Sequence, residues 1–337
     1  MRQSARVAVL QDGGQVVGFL AFERHRLGVG KPIGHGLSNC QAVVHAPGLV
    51  IDPRQLVHRA GLDVLEFDHL IADQTAFAPY HVLVEPSPVI DLTEGYDAWF
   101  EARRSASRRS IRSVGQQGRR LERDLGPMHL AYDVRDADSL HRLIDWKSEQ
   151  FRRTGKPDLF AQPAIVQLVE DLFEARAPGF EGKLSMLYAG DQPVAATFDL
   201  SSPTFLAGWF AAYDARFATY SPGTHLLLHM AREAAAAGIR TIDLGRGSGN
   251  YKDKLKSHDQ AVAEGWVERP TAAALLRRAQ RMPAYLARRA VFDNPALYRM
   301  ARRTRRLIGR ARTEFMAAAA VGLTGLDQLV SEAPLLC

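Results

Sequence analysis

Two stretches of the chain alternate apolar and polar residues around a short polar turn. Val7 to Phe22 (VAVLQDGGQVVGFLAF) turns at Asp12-Gly13-Gly14, and Ser185 to Leu200 (SMLYAGDQPVAATFDL) turns at Gly190-Asp191-Gln192. Period-two patterning on either side of a Gly/Asp turn predicts a β-hairpin in each. The two lie 178 residues apart, and a second match, Gly61 to Leu70 (GLDVLEFDHL) over Gly238 to Gly247 (GIRTIDLGRG), lies at an offset of 177. A helix-like segment precedes that match in both copies, Pro53 to Ala60 and Pro222 to Ala237. Two hairpin–helix–strand units at almost one spacing predict a duplicated α/β module; chance likeness between short hairpins is the alternative.

The second copy has more elements. Pro127 to Val134 reads as a strand. Asp136 opens an amphipathic helix through Leu140, Leu143, Ile144 and Phe151 that ends near Gly155, and a second helix runs from Pro163 to Ala175. Strands follow at Leu184–Ala189, Val194–Leu200 and Phe205–Tyr213, then the helix stopped by Gly238, a strand at Thr241–Leu244 and a last one near Ala261–Val267. Strands and helices mixed in this way predict an α/β sheet covered on both faces. The first copy begins at its hairpin without the opening strand and two helices, so it reads as a degenerate half or as a chain whose start lies further upstream. Between the copies, Trp99 to Leu125 reads as one long arginine-rich helix with Trp99, Phe100, Ile111, Val114 and Leu121 on its inner face.

Charge changes this picture at one end. The net charge is +6, but between Arg269 and Arg312 thirteen arginines face only Asp293, a local +12, so the remainder is net −6. A mildly acidic body therefore bears a basic helical C-terminal arm, interrupted at Pro283 and Pro295. Such an arm suits anionic lipid, the protein's own acidic body or nucleic-acid phosphates. No stretch reaches the roughly 20 apolar residues of a membrane-spanning helix. Met316 to Val330 is too short, and the N-terminus does not read as a signal peptide. Cys40 and Cys337 stand alone, which fits free thiols in a reducing compartment.

The order of elements in the second copy resembles the GNAT fold. Gly208-Trp209-Phe210-Ala211-Ala212-Tyr213-Asp214, Tyr220-Ser221-Pro222-Gly223, Ile242-Asp243-Leu244-Gly245-Arg246-Gly247 and Tyr251-Lys252 together resemble the signature of CelD-type acetyltransferases. These are linked to cellulose and exopolysaccharide synthesis and are related to FemAB-like double-GNAT transferases. The resemblance is good from about Asp97 to Gly265, weak over Val7 to Asp91, and absent from the basic arm. It implies tandem GNAT-like modules: an incomplete one at residues 1–96, an acyltransferase domain at 97–270 and a basic extension at 271–337.

The resemblance also implies a donor, acetyl-CoA or another acyl-CoA, lying in a cleft between the fourth and fifth strands, with its pyrophosphate on the helix start at Tyr220, Ser221, Gly223 and Thr224. Ser221-Pro222-Gly223 has the composition of a well-capped helix start, and unpaired N–H groups there attract phosphate. Gly208, beside Trp209 in mid-strand, marks a bulge or a close approach. In the related fold such a bulge frees an amide for the thioester oxygen. Asp243, at a strand end, and Tyr251 are the expected proton-handling groups, although Asp243 also suits a cap on the Gly245-Arg246-Gly247 turn. Tyr213, Asp214, Arg246 and Lys252 are expected on the acceptor side; Arg246, Lys252, Lys254 and Lys256 line a loop that points to an anionic acceptor, a solvated lysine run being the alternative. Gly245-Arg246-Gly247-Ser248-Gly249-Asn250 fails as a dinucleotide fingerprint, because Asn250 stands for the third glycine. It also fails as a nucleophile elbow, because Arg246 precedes where glycine is required. His225 and His229 have metal-compatible spacing but no acidic partner, so packing is expected and no metal.

The expected function is direct acyl transfer to an amine or hydroxyl of a sugar-type or cell-envelope acceptor. The rivals are aminoacyl-tRNA-dependent transfer, with the arm holding RNA, and a non-catalytic scaffold on a polysaccharide synthase or anionic membrane. The expected location is cytoplasmic, peripheral at the inner membrane face.

Overall fold

The computed structural model describes residues 4–34, 36–247 and 251–293. The expectations for the arm beyond Asp293 and for Ser248-Gly249-Asn250 lie outside the described residues. In chain order the strands are β1 (Ala5–Asp12), β2 (Gln15–Arg24), β3 (Val29–Lys31), β4 (Val44–His45), β5 (Val64–Ile71), β6 (His81–Asp91), β7 (Met128–Val134), β8 (Arg176–Ala177), β9 (Phe180–Ala189), β10 (Gln192–Ser201), β11 (Phe205–Tyr213), β12 (Thr241–Asp243) and β13 (His258–Glu268). The helices are α1 (Pro53–Arg59), α2 (Gly95–Ala106), α3 (Arg108–Leu125), α4 (Ala137–Arg153), α5 (Pro163–Glu174), α6 (Pro222–Ala236), α7 (Lys252–Leu255) and α8 (Ala272–Asp293). The α/β class expected from the sequence is the class adopted. Among the described residues no helix is long and apolar enough to cross a membrane.

All thirteen strands belong to one mixed sheet, in the order β1-β2-β3-β5-β13-β6-β12-β11-β10-β9-β7, with β4 on β2 and β8 on β9. The sheet passes through both copies of the repeat by exchange. β13, which follows the second copy in sequence, is hydrogen-bonded between β5 and β6 of the first, and β6 in turn pairs with β12. Val267 and Ala263 of β13 are fully buried in the first copy's core with Leu65, Phe67, Leu56 and Val57. The repeat is visible in the pairing itself. β3 and β5 run parallel through Val29↔Val64 and Gly30↔Leu65, and β11 and β12 run parallel through Phe205↔Thr241 and Leu206↔Ile242.

Helices cover both faces around β9, β10 and β11. Leu140, Leu143 and Ile144 of α4 recur at helical spacing and meet Leu184, Met186, Phe198 and Phe210. On the opposite face α6 buries Leu227, Met230, Ala231 and Ala234 against Leu206 and Ile242. Each large apolar side chain so buried contributes roughly 1.5–3 kcal/mol. The expected single helix over Trp99–Leu125 is instead two helices, α2 and α3, broken at Ser107, whose φ of −134° and ψ of 40° are not helical. The break lets Trp99, whose indole N–H donates to the Leu255 carbonyl at 3.2 Å, and Leu121 face different parts of the core.

A shared sheet predicts shared unfolding. Leu65→Ala in β5 and Ile242→Ala in β12, each costing roughly 2–5 kcal/mol, should lower one common calorimetric transition rather than two separate ones.

Candidate active site

β11 and β12 are paired only over Phe205–Ala207 and Thr241–Asp243. β11 then continues to Tyr213 while the chain after Asp243 turns away through Leu244 and Gly245, so the two strands part. Gly208 sits where the parting begins. A Cβ there would stand 2.9 Å from the Asp243 carbonyl oxygen, closer than side chains tolerate, so the approach of the strands requires glycine. On its other side β11 bulges. Phe198 faces Phe210 but Asp199 faces Gly208, which leaves Trp209 as the extra residue.

α6 starts beneath this gap. Ser221 precedes it in the left-handed conformation (φ 55°, ψ 49°), and its side chain makes no capping hydrogen bond, contrary to the cap expected from the sequence. Pro222 has no N–H to satisfy. The Thr224 and His225 amides donate to the Ser221 carbonyl at 2.9 and 3.4 Å, so the donor that the start of α6 leaves open at the gap is the Gly223 amide, at the positive end of the helix dipole. A Cβ added at Gly223 would lie 3.7 Å from the Tyr213 ring, an ordinary contact.

A cavity of about 340 Å³ fills the gap. Among the residues expected at the site, Gly208, Trp209, Tyr213, Ser221, Gly223, Thr224, Tyr251 and Lys252 line it. Asp243, Tyr220, Asp214 and Arg246 do not, and each has a partner that explains why. Asp243 is buried and accepts from the Ser87 hydroxyl at 2.7 Å and the Gly245 amide at 2.9 Å, so its carboxylate holds the turn after β12. The Tyr220 hydroxyl donates to Asp124 at 2.7 Å. Asp214 is clamped by the Arg216 guanidinium, at 3.0 and 2.6 Å, and caps the turn through the Arg216 amide at 2.9 Å. Arg246 donates to the Asp68 carbonyl at 2.9 Å and lies 3.4 Å from Glu85 and 3.8 Å from Glu264. Its charge is neutralised by carboxylates on β6 and β13. His225 is buried on α6 against Gly118, and burial pulls it down to about 4. Packing is its role here.

The cavity wall also includes groups that the sequence reading passed over: Thr197, Asp199, Lys147 and Gln150. Asp199 is 1% exposed and accepts from the Thr197 hydroxyl at 2.8 Å. Burial pushes it up to about 7, against the stabilising pull of Thr197, the Trp209 amide and Lys183. Lys183 faces it directly across β9. Lys147 reaches from α4 to the Ala211 carbonyl at 2.9 Å, and burial, with repulsion from Lys156 and Lys252, pulls it down to about 8. Lys252 donates to the Gly245 carbonyl at 3.0 Å, and burial lowers it too. Burial raises the Tyr251 phenol. An acid closing the run Val194 to Phe198, apolar but for Thr197, was the signal that could have singled out Asp199.

The first copy of the repeat touches the bulged strand. The chain leaving β3 crosses over the bulge, where the Asn39 amide donates to the Gly208 carbonyl at 2.5 Å and the Trp209 indole donates to the Leu37 carbonyl at 2.6 Å.

Residues 106–253 match the family model described as an acetyltransferase (GNAT) domain. No curated protein matches the sequence. Solved structures of similar fold include a conserved protein of unknown function from Bacteroides thetaiotaomicron, 10% identical over 77% of this chain and 86% of that one, with a TM-score of 0.51. FemX is 10% identical over 78% and 87%, with a TM-score of 0.50. A tandem GNAT protein from the clavulanic acid pathway is 10% identical over 80% and 85%, with a TM-score of 0.44. At such identities the likeness concerns the fold alone.

The burial of Asp199 has a measurable cost. Its folded-state value lies above the ordinary carboxylate value, so the folded protein is penalised progressively as pH rises from about 4 to 7. Asp199→Asn should therefore stabilise the protein at pH 8 by ~1–3 kcal/mol more than at pH 4. Urea unfolding at the two pH values reads this directly.

Proposed function

We propose, from the premise that residues 106–253 are a GNAT-superfamily acetyltransferase domain, that this protein transfers an acyl group from acyl-CoA directly to an amine or hydroxyl. The observation that carries the reading is the parting of β11 from β12 directly over the uncapped start of α6. In this reading the Gly223 amide and the positive end of the α6 dipole take the donor's pyrophosphate, and the edge of β11 freed by the parting takes the pantetheine arm. The thioester then lies at Gly208–Trp209, beside Asp199.

The acceptor's nucleophilic atom attacks the thioester carbonyl, the C–S bond breaks, and coenzyme A leaves as the thiolate or thiol. The acceptor's proton goes to the Asp199 carboxylate, whose elevated value suits a base working near neutral pH. This replaces the base role expected of Asp243, whose carboxylate is committed to Ser87 and Gly245. It also leaves Tyr251 as a wall residue. Lys147 and Lys252 give the open side of the cavity a positive wall, which favours an anionic acceptor such as a charged sugar or an envelope precursor.

Calorimetric titration with acetyl-CoA tests the donor site. Gly223→Ala should bind nearly as the parent does, while Gly223→Glu should lose binding at least 100-fold with an unchanged melting temperature. Undiminished binding to Gly223→Glu would remove the assignment. For turnover, kcat/KM should rise through pH ~7 as Asp199 ionises and fall above pH ~8 as Lys147 loses its charge. Asp199→Asn should abolish the acidic limb and lower kcat by roughly 10²–10⁴-fold.

A further inference from the structure

α8 is packed the wrong way round for a surface helix. An amphipathic helix ordinarily turns its apolar stripe to the core and its charges to water, yet here arginines turn inward. The Arg277 guanidinium donates to Glu66 of β5 at 2.7 and 2.9 Å. Arg281 donates to Glu268 of β13, lies 3.5 Å from Glu66 and covers the Trp266 ring at 3.9 Å, so its side chain is only 11% exposed. Arg278 lies 3.6 Å from Glu268, and Ala274 is buried on the same side. The helix start is pinned too, by the Ala274 amide on the Thr271 hydroxyl at 3.2 Å. With its rotation fixed in this way, α8 holds Leu275 and Leu276 outward, 65% and 50% exposed. Ala272, Ala279 and Pro283 are exposed with them, at spacings that make one helical face. The turn Arg26–Gly28, against which α8 packs, exposes a further leucine. This is Leu27, held in the left-handed conformation (φ 59°) that a bulky side chain adopts only under strain.

We propose that this outer face of α8, Leu275 and Leu276 with Leu27 beside them, is a docking surface for an anionic lipid bilayer. Glu66 and Glu268 serve it by turning the arginines of the helix inward and leaving the leucines free. Charge selects the occupant. From Arg299 to Arg312 the sequence continues with seven arginines and no acidic residue. Like-charged arms repel one another, which weighs against a second copy of this chain. Nucleic-acid phosphates would need the guanidinium groups that Glu66 and Glu268 already engage. Exposed leucines next to a cationic segment match an anionic membrane surface, where apolar side chains enter the acyl boundary and arginines meet the headgroup phosphates. The inference does not depend on the acyl-transfer reading, since no residue of the cavity takes part in it.

The test is flotation of the full chain with phosphatidylcholine vesicles containing about one third phosphatidylglycerol. The parent should float with these vesicles and bind pure phosphatidylcholine vesicles at least ~10-fold more weakly. Leu275→Ser combined with Leu276→Ser keeps the net charge and removes only exposed groups, so the melting temperature should hold while vesicle binding weakens roughly 10–100-fold. Leu27→Ser should weaken it by a smaller factor. Absence of binding by the parent overturns the proposal. So does undiminished binding by the double variant, which would leave the attraction to the arginines of the arm alone. A parent that elutes as a dimer without binding vesicles, beside a monomeric double variant, would give the face to a second copy. Binding of a short RNA duplex in place of vesicles, equal in parent and double variant, would give the arm to nucleic acid. Either result overturns the assignment to lipid.

Discussion

Two strands that begin a parallel ladder and then abandon it leave unpaired backbone on one edge and a space beside it. In this protein the ladder between β11 and β12 lasts three residue pairs. Beyond it the edge of β11 from Gly208 onward faces a cavity rather than a strand. An orphaned edge inside a sheet is costly unless something occupies it. Around this one the chain supplies a helix start without a side-chain cap, a buried carboxylate and two lysines. The chemistry assigned to the protein depends on that gap: with continuous pairing the N-terminus of α6 would face a closed sheet.

The two copies of the repeat solve the same geometry in opposite ways. In the first, β3 ends at Lys31, and the start of α1 is satisfied internally, since the Asp52 carboxylate accepts from the Arg54 and Gln55 amides at 2.9 and 3.3 Å. A carboxylate in that place answers the helix dipole and repels phosphate. In the second, Ser221 adopts a strained left-handed conformation and its side chain caps nothing; its carbonyl takes the Thr224 amide at 2.9 Å, which leaves the Gly223 amide open. The first copy is thereby relieved of ligand binding at its own helix start. Its chain beyond Lys31 crosses to the other copy, where Leu37 and Asn39 hold the bulged strand. β13 and β6 join the two copies in one sheet, β13 lying between β5 and β6 and β6 pairing with β12.

Charge placement follows the same division. Carboxylates on β5, β6 and β13 are neutralised by cations from elsewhere: Glu85 and Glu264 by Arg246, and Glu66 by Arg277 at 2.7 Å. Inside the cavity the titratable groups sit away from their ordinary values because they are buried. Asp199 is pushed up and Lys147 and Lys252 are pulled down. These opposite displacements bring Asp199 and Lys147 toward one another near neutral pH, a condition common at reacting centres.

The sequence alone determined the local structure. Hairpin turns at Gly13-Gly14 and Gly190-Asp191, the helical spacing of Leu140, Leu143 and Ile144, and the repeat at about 177 residues are written in neighbouring residues, so propensity and periodicity disclose them. The Gly208 position and the helix start at Ser221–Thr224 were also legible, because a glycine in mid-strand and a Ser-Pro-Gly run have few local explanations. Partnership was not legible. Asp243, Asp214, Tyr220 and Arg246 have the residue types of a site, and only the fold shows Ser87, Arg216, Asp124 and the pair Glu85–Glu264 already engaging them. Conversely Asp199 looks like one acid ending an apolar strand until three strands and a helix bury it. Asn39 becomes relevant only because Gly208, 169 positions further along the chain, lies beside it. Burial and long-range contact are properties of the assembled sheet. They set which carboxylate is free to take a proton, and no window of sequence contains them.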